Sequence, residues 1–252
     1  MDIVLLHGWG LNKGVWANLI EVAEEYAPDL TFHALDLPGY GDSTHIEGVN
    51  SLATMAEFVR KQAPSDAIWL GWSLGGMVAL QEAMQCSEKR IRGLYLLATS
   101  PCFVQKADWP HGVEKSIFDR FSQDLALDYR VVLSSFLLLQ SGMNKGAREV
   151  ARRAHSDICK YPDPTEATLK SGIDCLATTD LRNLLKGAGV LREIPSKVVS
   201  CKLDRVANPA GGHHLAQLIN SQSSVFHSGH APFLTMPLDF LNDLMAFSEA
   251  VG

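Results

Sequence analysis

The chemistry of this 252-residue chain is most visible in Gly71-Trp72-Ser73-Leu74-Gly75-Gly76. Glycines two residues before and two after a serine allow a turn tight enough to lift its hydroxyl clear of the backbone. The run Ala67–Trp72 before it predicts a buried strand, and Leu74–Gln85 after it predicts a helix, so the hydroxyl would stand at a helix N-terminus whose dipole favours a developing anion. Elsewhere G-x-S-x-G is just a glycine-rich turn; in this strand-turn-helix setting Ser73 is a candidate nucleophile for acyl transfer. Such a serine needs a base and a carboxylate to orient it, and with this kind of elbow they follow in the order acid, then histidine. Of the later histidines, His213 and His214 open a predicted helix, where a surface or capping role suffices, and His227 belongs to the last predicted strand. His230, in Ser228-Gly229-His230-Ala231-Pro232, falls in the loop after that strand, where α/β sheets gather their functional groups. Asp204 ends the preceding strand, 26 residues before His230, which leaves room for one helix and one strand. The alternative place for an acid, after the strand that follows the nucleophile helix, is Thr99-Ser100-Pro101 and holds no carboxylate. His7-Gly8-Trp9-Gly10 would supply the backbone N–H of Trp9, and the residue after the nucleophile that of Leu74, as donors to a tetrahedral oxyanion.

These residues need a frame, and the hydrophobic pattern predicts one. Strands are expected at Ile3–His7, Thr31–Leu35, Ala67–Trp72, Ile91–Ala98, Lys197–Leu203 and Ser223–His227. Helices are expected at Val15–Tyr26, Leu52–Lys61, Leu74–Gln85, Ala210–Asn220 and from Leu238 to about Ala250. Alternation of the two predicts a mostly parallel, doubly wound sheet. From Cys102 to Arg192 strand patterns vanish and helical ones follow one another at Val113–Leu125, Tyr129–Leu139, Ala147–Cys159 and Thr165–Ala177. The expected organisation is therefore a core of residues 1–101 and 193–252, interrupted by an all-helical cap of residues 102–192.

Composition narrows the class. Hydrophobic residues make up 46% and charged residues 20%, an ordinary globular mix that excludes disorder and fibrous repeats. A net charge of −6 argues against a protein that wraps nucleic acid. The five cysteines are scattered without a C-x-x-C spacing, which fits reduced thiols in a cytoplasm better than a disulfide framework or a zinc site. No apolar run is long enough for a membrane span.

The triad and the His-Gly-x-Gly loop, with Asp36-Leu37-Pro38-Gly39-Tyr40-Gly41-Asp42-Ser43, resemble those of the α/β hydrolases. More narrowly, Leu5-Leu6-His7-Gly8-Trp9-Gly10-Leu11-Asn12, the Ile68 to Gly76 stretch, Ser100-Pro101-Cys102-Phe103, Phe136-Leu137-Leu138-Leu139-Gln140 and His230-Ala231-Pro232-Phe233 resemble the esterases that hydrolyse the methyl ester of a pimeloyl acyl-carrier protein in biotin synthesis. The resemblance implies a serine carboxylesterase with Ser73, Asp204 and His230 as triad and Trp9 and Leu74 as oxyanion donors. It also implies substrate contacts from Trp9, Ser73, Leu74, His230 and the cap segment Phe136, Leu137, Leu138, Leu139 and Gln140. It implies no metal or organic cofactor and an acyl-carrier protein as partner, and a monomer is expected. Two features depart from the family. Only six residues precede His7, too few for the antiparallel strands that usually open the sheet, and Val131 and Ser135 stand where relatives can carry further arginines. A general short-acyl carboxylesterase and a carbon-carbon bond hydrolase share the same triad and stay open at this point; a ligand receptor with a hydrolase pocket is the alternative from another class.

Charge is distributed unevenly. Residues 102–192 hold 13 lysines and arginines against 11 acids, whereas the rest of the chain holds 9 against 17. Lys145, Arg148 and Arg152 are spaced to share one helix face, with Arg153 beside it. That face is a candidate docking surface for an acidic carrier protein; a merely solvated helix face is the competing explanation.

Overall fold

The computed structural model describes residues 1–46, 51–85, 90–117, 119–120, 129–141 and 146–252. Six strands form one sheet: β1 (Asp2–Leu6), β2 (Thr31–Leu35), β3 (Ala67–Trp72), β4 (Ile91–Leu97), β5 (Ser196–Cys201) and β6 (Gln222–Phe226), in the order β2-β1-β3-β4-β5-β6. Every pairing is parallel, so among the described residues no antiparallel strand opens the sheet. The central strands are apolar on both faces because helices cover both. Edge strands β2 and β6 are only part-buried.

Alternation along each strand divides the core in two. Val4, Leu6, Trp69, Leu94 and Leu96 face one layer, which includes α2 (Leu52–Arg60), α3 (Leu74–Gln85) and α8 (Pro209–Ile219). Ile3, Leu5, Ile68, Leu70 and Tyr95 face the other, with α1 (Ala17–Tyr26) and α10 (Pro237–Val251). A short helix, α9 (Pro232–Thr235), follows β6. Between β4 and β5 lie α4 (Tyr129–Ser141), α5 (Ala147–Ile158), α6 (Glu166–Thr178) and α7 (Arg182–Gly187). These helices extend both layers: Leu169, Ile173 and Leu185 join the first, and Leu133, Leu137, Ala154 and Ile158 the second.

The elements expected from the sequence recur, with shifts of one or two residues at most ends. Helix α7 was not expected: it is six residues long and buries only Leu185, too little for a periodic signal. Isolated bridges join Cys102 to Asp180, Val104 to Val113 and Lys106 to Trp109, so the segment after β4 is partly extended where helices alone were expected. Of the expected helix Val113–Leu125, residues 118 and 121–128 lie outside the described residues, and 115–117 and 119–120 are helical.

The chain just after β4 is tied to the chain just before α7. Leu181 N–H donates to Pro101 O (2.8 Å), beside the Cys102–Asp180 bridge. Asp180 accepts from Arg182 (2.7 Å) and Lys106 (2.8 Å), and Arg182 also pairs with Asp108. The Arg182 guanidinium holds the Asp180 carboxyl well below the usual carboxylate range. A depressed value contributes stability that is complete above the unfolded-state value near 3.9 and is lost as pH falls through the folded one. Asp180→Asn should therefore lower stability at pH 7 by roughly 1–2 kcal/mol, a few degrees in Tm, and leave ester hydrolysis within about twofold. The stability gap from wild type should shrink in acid, as thermal melts across pH would register.

Candidate active site

Strand pairing brings the two chemically interesting strand ends together. Leu6 of β1 lies opposite Gly71 of β3, so His7–Gly10 and Ser73 leave the sheet side by side. This is also where the strand order reverses, since β1 is followed by β2 on one side and β3 on the other.

Backbone-to-backbone closeness explains the glycines. A Cβ on Gly71 would lie 2.5 Å from Gly75 O and 2.6 Å from Gly76 Cα, and one on Gly76 would meet the Thr99 side chain at 2.6 Å. Ser73 itself adopts φ 56°, the left-handed conformation that costs a non-glycine residue about 1–2 kcal/mol. It is held there because its N–H donates to Leu97 O (2.9 Å) while its carbonyl accepts from Thr99 Oγ1 (2.8 Å) and Gly76 N–H (3.0 Å). Leu74 is the first residue of α3, so its N–H has no partner within the helix.

His230 and Asp204 lie at adjacent strand ends and meet. His230 Nδ1 donates to Asp204 Oδ2 at 2.7 Å, with both side chains about 1% exposed. Asp204 Oδ1 accepts from the N–H groups of Val206 (2.7 Å) and Ala207 (2.9 Å), which fixes the carboxylate. The Nδ1–H tautomer leaves Nε2 with its lone pair, and Nε2 is buried without a hydrogen-bond partner. The His230 loop is held from β3: Trp72 Nε1 donates to His230 O (2.9 Å), and Phe233 meets Trp72 edge-on and Trp16 at a tilt.

The loop after β1 approaches the elbow closely: a Cβ on Gly8 would stand 3.4 Å from Ser73 Cβ. His7 is fully buried. Its Nδ1–H donates to Gly8 O (2.8 Å) and its Nε2 accepts from Leu37 N–H (3.0 Å), and burial pushes its pKa down, so it serves as a neutral strut. Asp36 accepts from the N–H groups of Lys13 (2.7 Å) and Asp42 (2.9 Å), tying the Asp36–Ser43 loop to the same region.

The remaining expected residues divide. Trp9 is buried, with its indole N–H donated to Leu169 O (2.8 Å). On α4, Leu137 is buried in the second core layer and Leu138 is 42% exposed. The side chains of Phe136, Leu139 and Gln140 on the same helix, and all of Lys145, lie outside the described residues. Arg148 and Arg152 are exposed on α5, Arg152 paired with Glu149 (2.6 Å), and Arg153 pairs with Glu21 of α1. Sequence reasoning missed His7, Trp72 and Thr99 as supports. A tryptophan inside G-x-S-x-G was the one available hint for Trp72, while the roles of Thr99 and His7 depend on pairings that only the fold creates.

The profile of the alpha/beta hydrolase family matches residues 3–244. The chain belongs to that family. It is 39% identical over 254 residues to a pimeloyl-[acyl-carrier protein] methyl ester esterase of Yersinia enterocolitica, covering 98% of this chain and 93% of that protein. To the protein of the same description from Pectobacterium carotovorum it is 40% identical over 251 residues, covering 99% and 94%. An esterase from Exiguobacterium antarcticum superposes with a TM-score of 0.85 over 99% of this chain and 92% of that one; at 23% identity this concerns the fold alone.

Gly71 offers a direct test of the elbow's packing. Gly71→Ala forces a methyl group into the backbone of Gly75 and Gly76, so it should cost roughly 1–3 kcal/mol of stability and at least tenfold in kcat. Chemical denaturation and steady-state assay would check both; wild-type values would show that the turn has room to spare.

Proposed function

We propose that the protein is a serine carboxylesterase that hydrolyses the methyl ester of a pimeloyl-acyl-carrier protein, releasing methanol and the free carboxylate. The observation that carries the chemistry is the buried His230–Asp204 pair, with Nε2 unbonded, on the same sheet edge as the left-handed Ser73. The relatives at 39–40% identity over nearly the whole chain support the substrate. In this mechanism Ser73 Oγ attacks the ester carbonyl while His230 Nε2 takes its proton. The N–H groups of Trp9 and Leu74 stabilise the oxyanion, and methanol leaves with the proton returned by His230. Water, deprotonated by His230, then attacks the acyl-serine; Ser73 recovers its proton and the carboxylate departs. Asp204 keeps Nδ1 protonated throughout. We assign residues 102–192 to a cap over the acyl chain, to which Phe136–Gln140 contribute, and the protein to the cytoplasm. Among the described residues no helix is long and apolar enough to cross a membrane.

The general esterase and the carbon-carbon hydrolase are separated from this function by substrate. A carrier-linked dicarboxylate methyl ester should be hydrolysed with a higher kcat/KM than a simple nitrophenyl ester; the reverse order would favour a general esterase. With either ester, Ser73→Ala should lose about 10⁴ to 10⁶ in kcat while remaining folded, and Asp204→Asn should lose several orders of magnitude through the wrong His230 tautomer. Turnover of Ser73→Ala within tenfold of wild type would refute the nucleophile, and a silent Asp204→Asn would refute the acid.

Carrier docking is proposed for the α5 face carrying Arg148 and Arg152, together with Lys145. The Arg152–Glu149 pair is a surface contact worth little, so a carrier carboxylate can displace it. Reversing Arg148 and Arg152 to Glu should raise KM for the carrier-linked ester and flatten its salt dependence while sparing a small ester. Unchanged KM would remove this face from recognition.

A further inference from the structure

Three helices, α4, α5 and α6, hold the loop that carries the Trp9 N–H. Tyr129, opening α4, donates its hydroxyl proton to Gly10 O (2.8 Å). Asn12 Nδ2 donates to Ile158 O at the end of α5 (3.0 Å), while its Oδ1 accepts from Gly14 N–H (3.0 Å). Trp9 Nε1 donates to Leu169 O in α6 (2.8 Å). Trp9 and Asn12 are both buried, so water does not compete for these bonds. Steric contacts press from the same side. A Cβ on Gly172 would lie 2.5 Å from Trp9 Cδ1 and 2.6 Å from Tyr40 Oη, and one on Gly14 would lie 2.5 Å from Asp157 O. From the sheet side the loop is tied at its two ends, by His7 to Leu37 and by Lys13 N–H to Asp36. Between those ends Gly10 turns through φ 73°. The stretch that carries the Trp9 N–H is thus tethered to α4, α5 and α6.

We propose that these helices set the position of the Trp9 N–H, so that Tyr129, Asn12 and the Trp9 indole are positioning groups of the oxyanion hole. The inference rests on the assignment of Ser73 as nucleophile and Trp9 N–H as oxyanion donor. An oxyanion donor works only within about 2.7–3.1 Å of the charge that develops. Slackening a tether therefore weakens the transition state while leaving ground-state binding nearly untouched, which lowers kcat more than it changes KM.

Two variants test this on a nitrophenyl ester that needs no carrier, with Ser73→Ala run beside them. Tyr129→Phe keeps the ring and deletes only the hydroxyl. Gly172→Ala should favour the helix by intrinsic propensity yet push a methyl group into the Trp9 indole. Each should lower kcat roughly tenfold, short of the 10²–10³ expected for losing a donor outright, with KM within about twofold. Affinity for a trifluoromethyl ketone, whose adduct on Ser73 places an oxyanion in the hole, should fall by the same factor as kcat/KM, while inhibition by the carboxylate product holds steady. A purely structural bond would lower Tm and leave the ketone affinity unchanged, and that result in Tyr129→Phe overturns the inference. If Gly172→Ala does not fold, Tyr129→Phe decides alone. A Ser73→Ala enzyme that still turns over would instead overturn the underlying nucleophile assignment.

Discussion

Backbone packs directly against backbone where β1 and β3 end, and the site is organised by that closeness. Opposite Leu6, Gly71 leaves no space for a side chain between itself and the Gly75–Gly76 peptide, so the chain turns at once into α3 and drives Ser73 to φ 56°. The same closeness brings Gly8 beside Ser73, which sets the loop after β1 against the elbow. The strain at Ser73 is modest beside the burial around it: Trp69, Leu70, Trp72, Leu74 and Met77 are all within 2% of complete burial, and each large side chain contributes about 1.5–3 kcal/mol.

A second constraint is electrostatic. A carboxylate as deeply buried as Asp204 is tolerated only with its lone pairs filled, and Val206, Ala207 and His230 fill them. The arrangement selects one histidine tautomer in the free protein, the tautomer that the proposed mechanism uses. His7 shows the opposite use of the same residue type: both ring nitrogens are bonded to backbone, and burial holds it neutral, which removes it as a base. Two things distinguish the imidazoles: Nδ1 faces a carboxylate in His230 and a peptide carbonyl in His7, and Nε2 is unbonded in His230 but occupied by Leu37 N–H in His7.

Much of this was legible in the sequence because it is local. Gly71-Trp72-Ser73-Leu74-Gly75 specifies its own turn, and β2, β3 and α3 have the bounds that their apolar runs predict. Asp204 and His230 were legible through a rule about strand ends, since their chain separation of 26 residues is bridged by a helix and a strand. β5 ends at Cys201, two residues before the expected Leu203: Lys202 and Leu203 still bond across to the chain at Phe226 and Ser228, but outside the ladder. The interactions that could not be read join distant positions through one polar atom: Trp72 Nε1 to His230 O across 158 residues, and Trp9 Nε1 to Leu169 O across 160. Nothing in the periodicity of either segment encodes which carbonyl an indole will find.

The proposed substrate carries two bonds that a serine could attack, the terminal methyl ester and the linkage to the carrier, and in the proposed mechanism Ser73 takes the first. Rapid acid quench of enzyme mixed with the carrier-linked methyl ester, followed by intact-protein and peptide mass spectrometry, distinguishes them. Attack on the methyl ester gives a transient covalent species whose mass is the sum of the enzyme and the carrier-linked methyl ester less one methanol, with the modification on the peptide containing Ser73. An enzyme bearing only the methyl-ester acyl group, with free carrier released, or an adduct on any other residue, would contradict it.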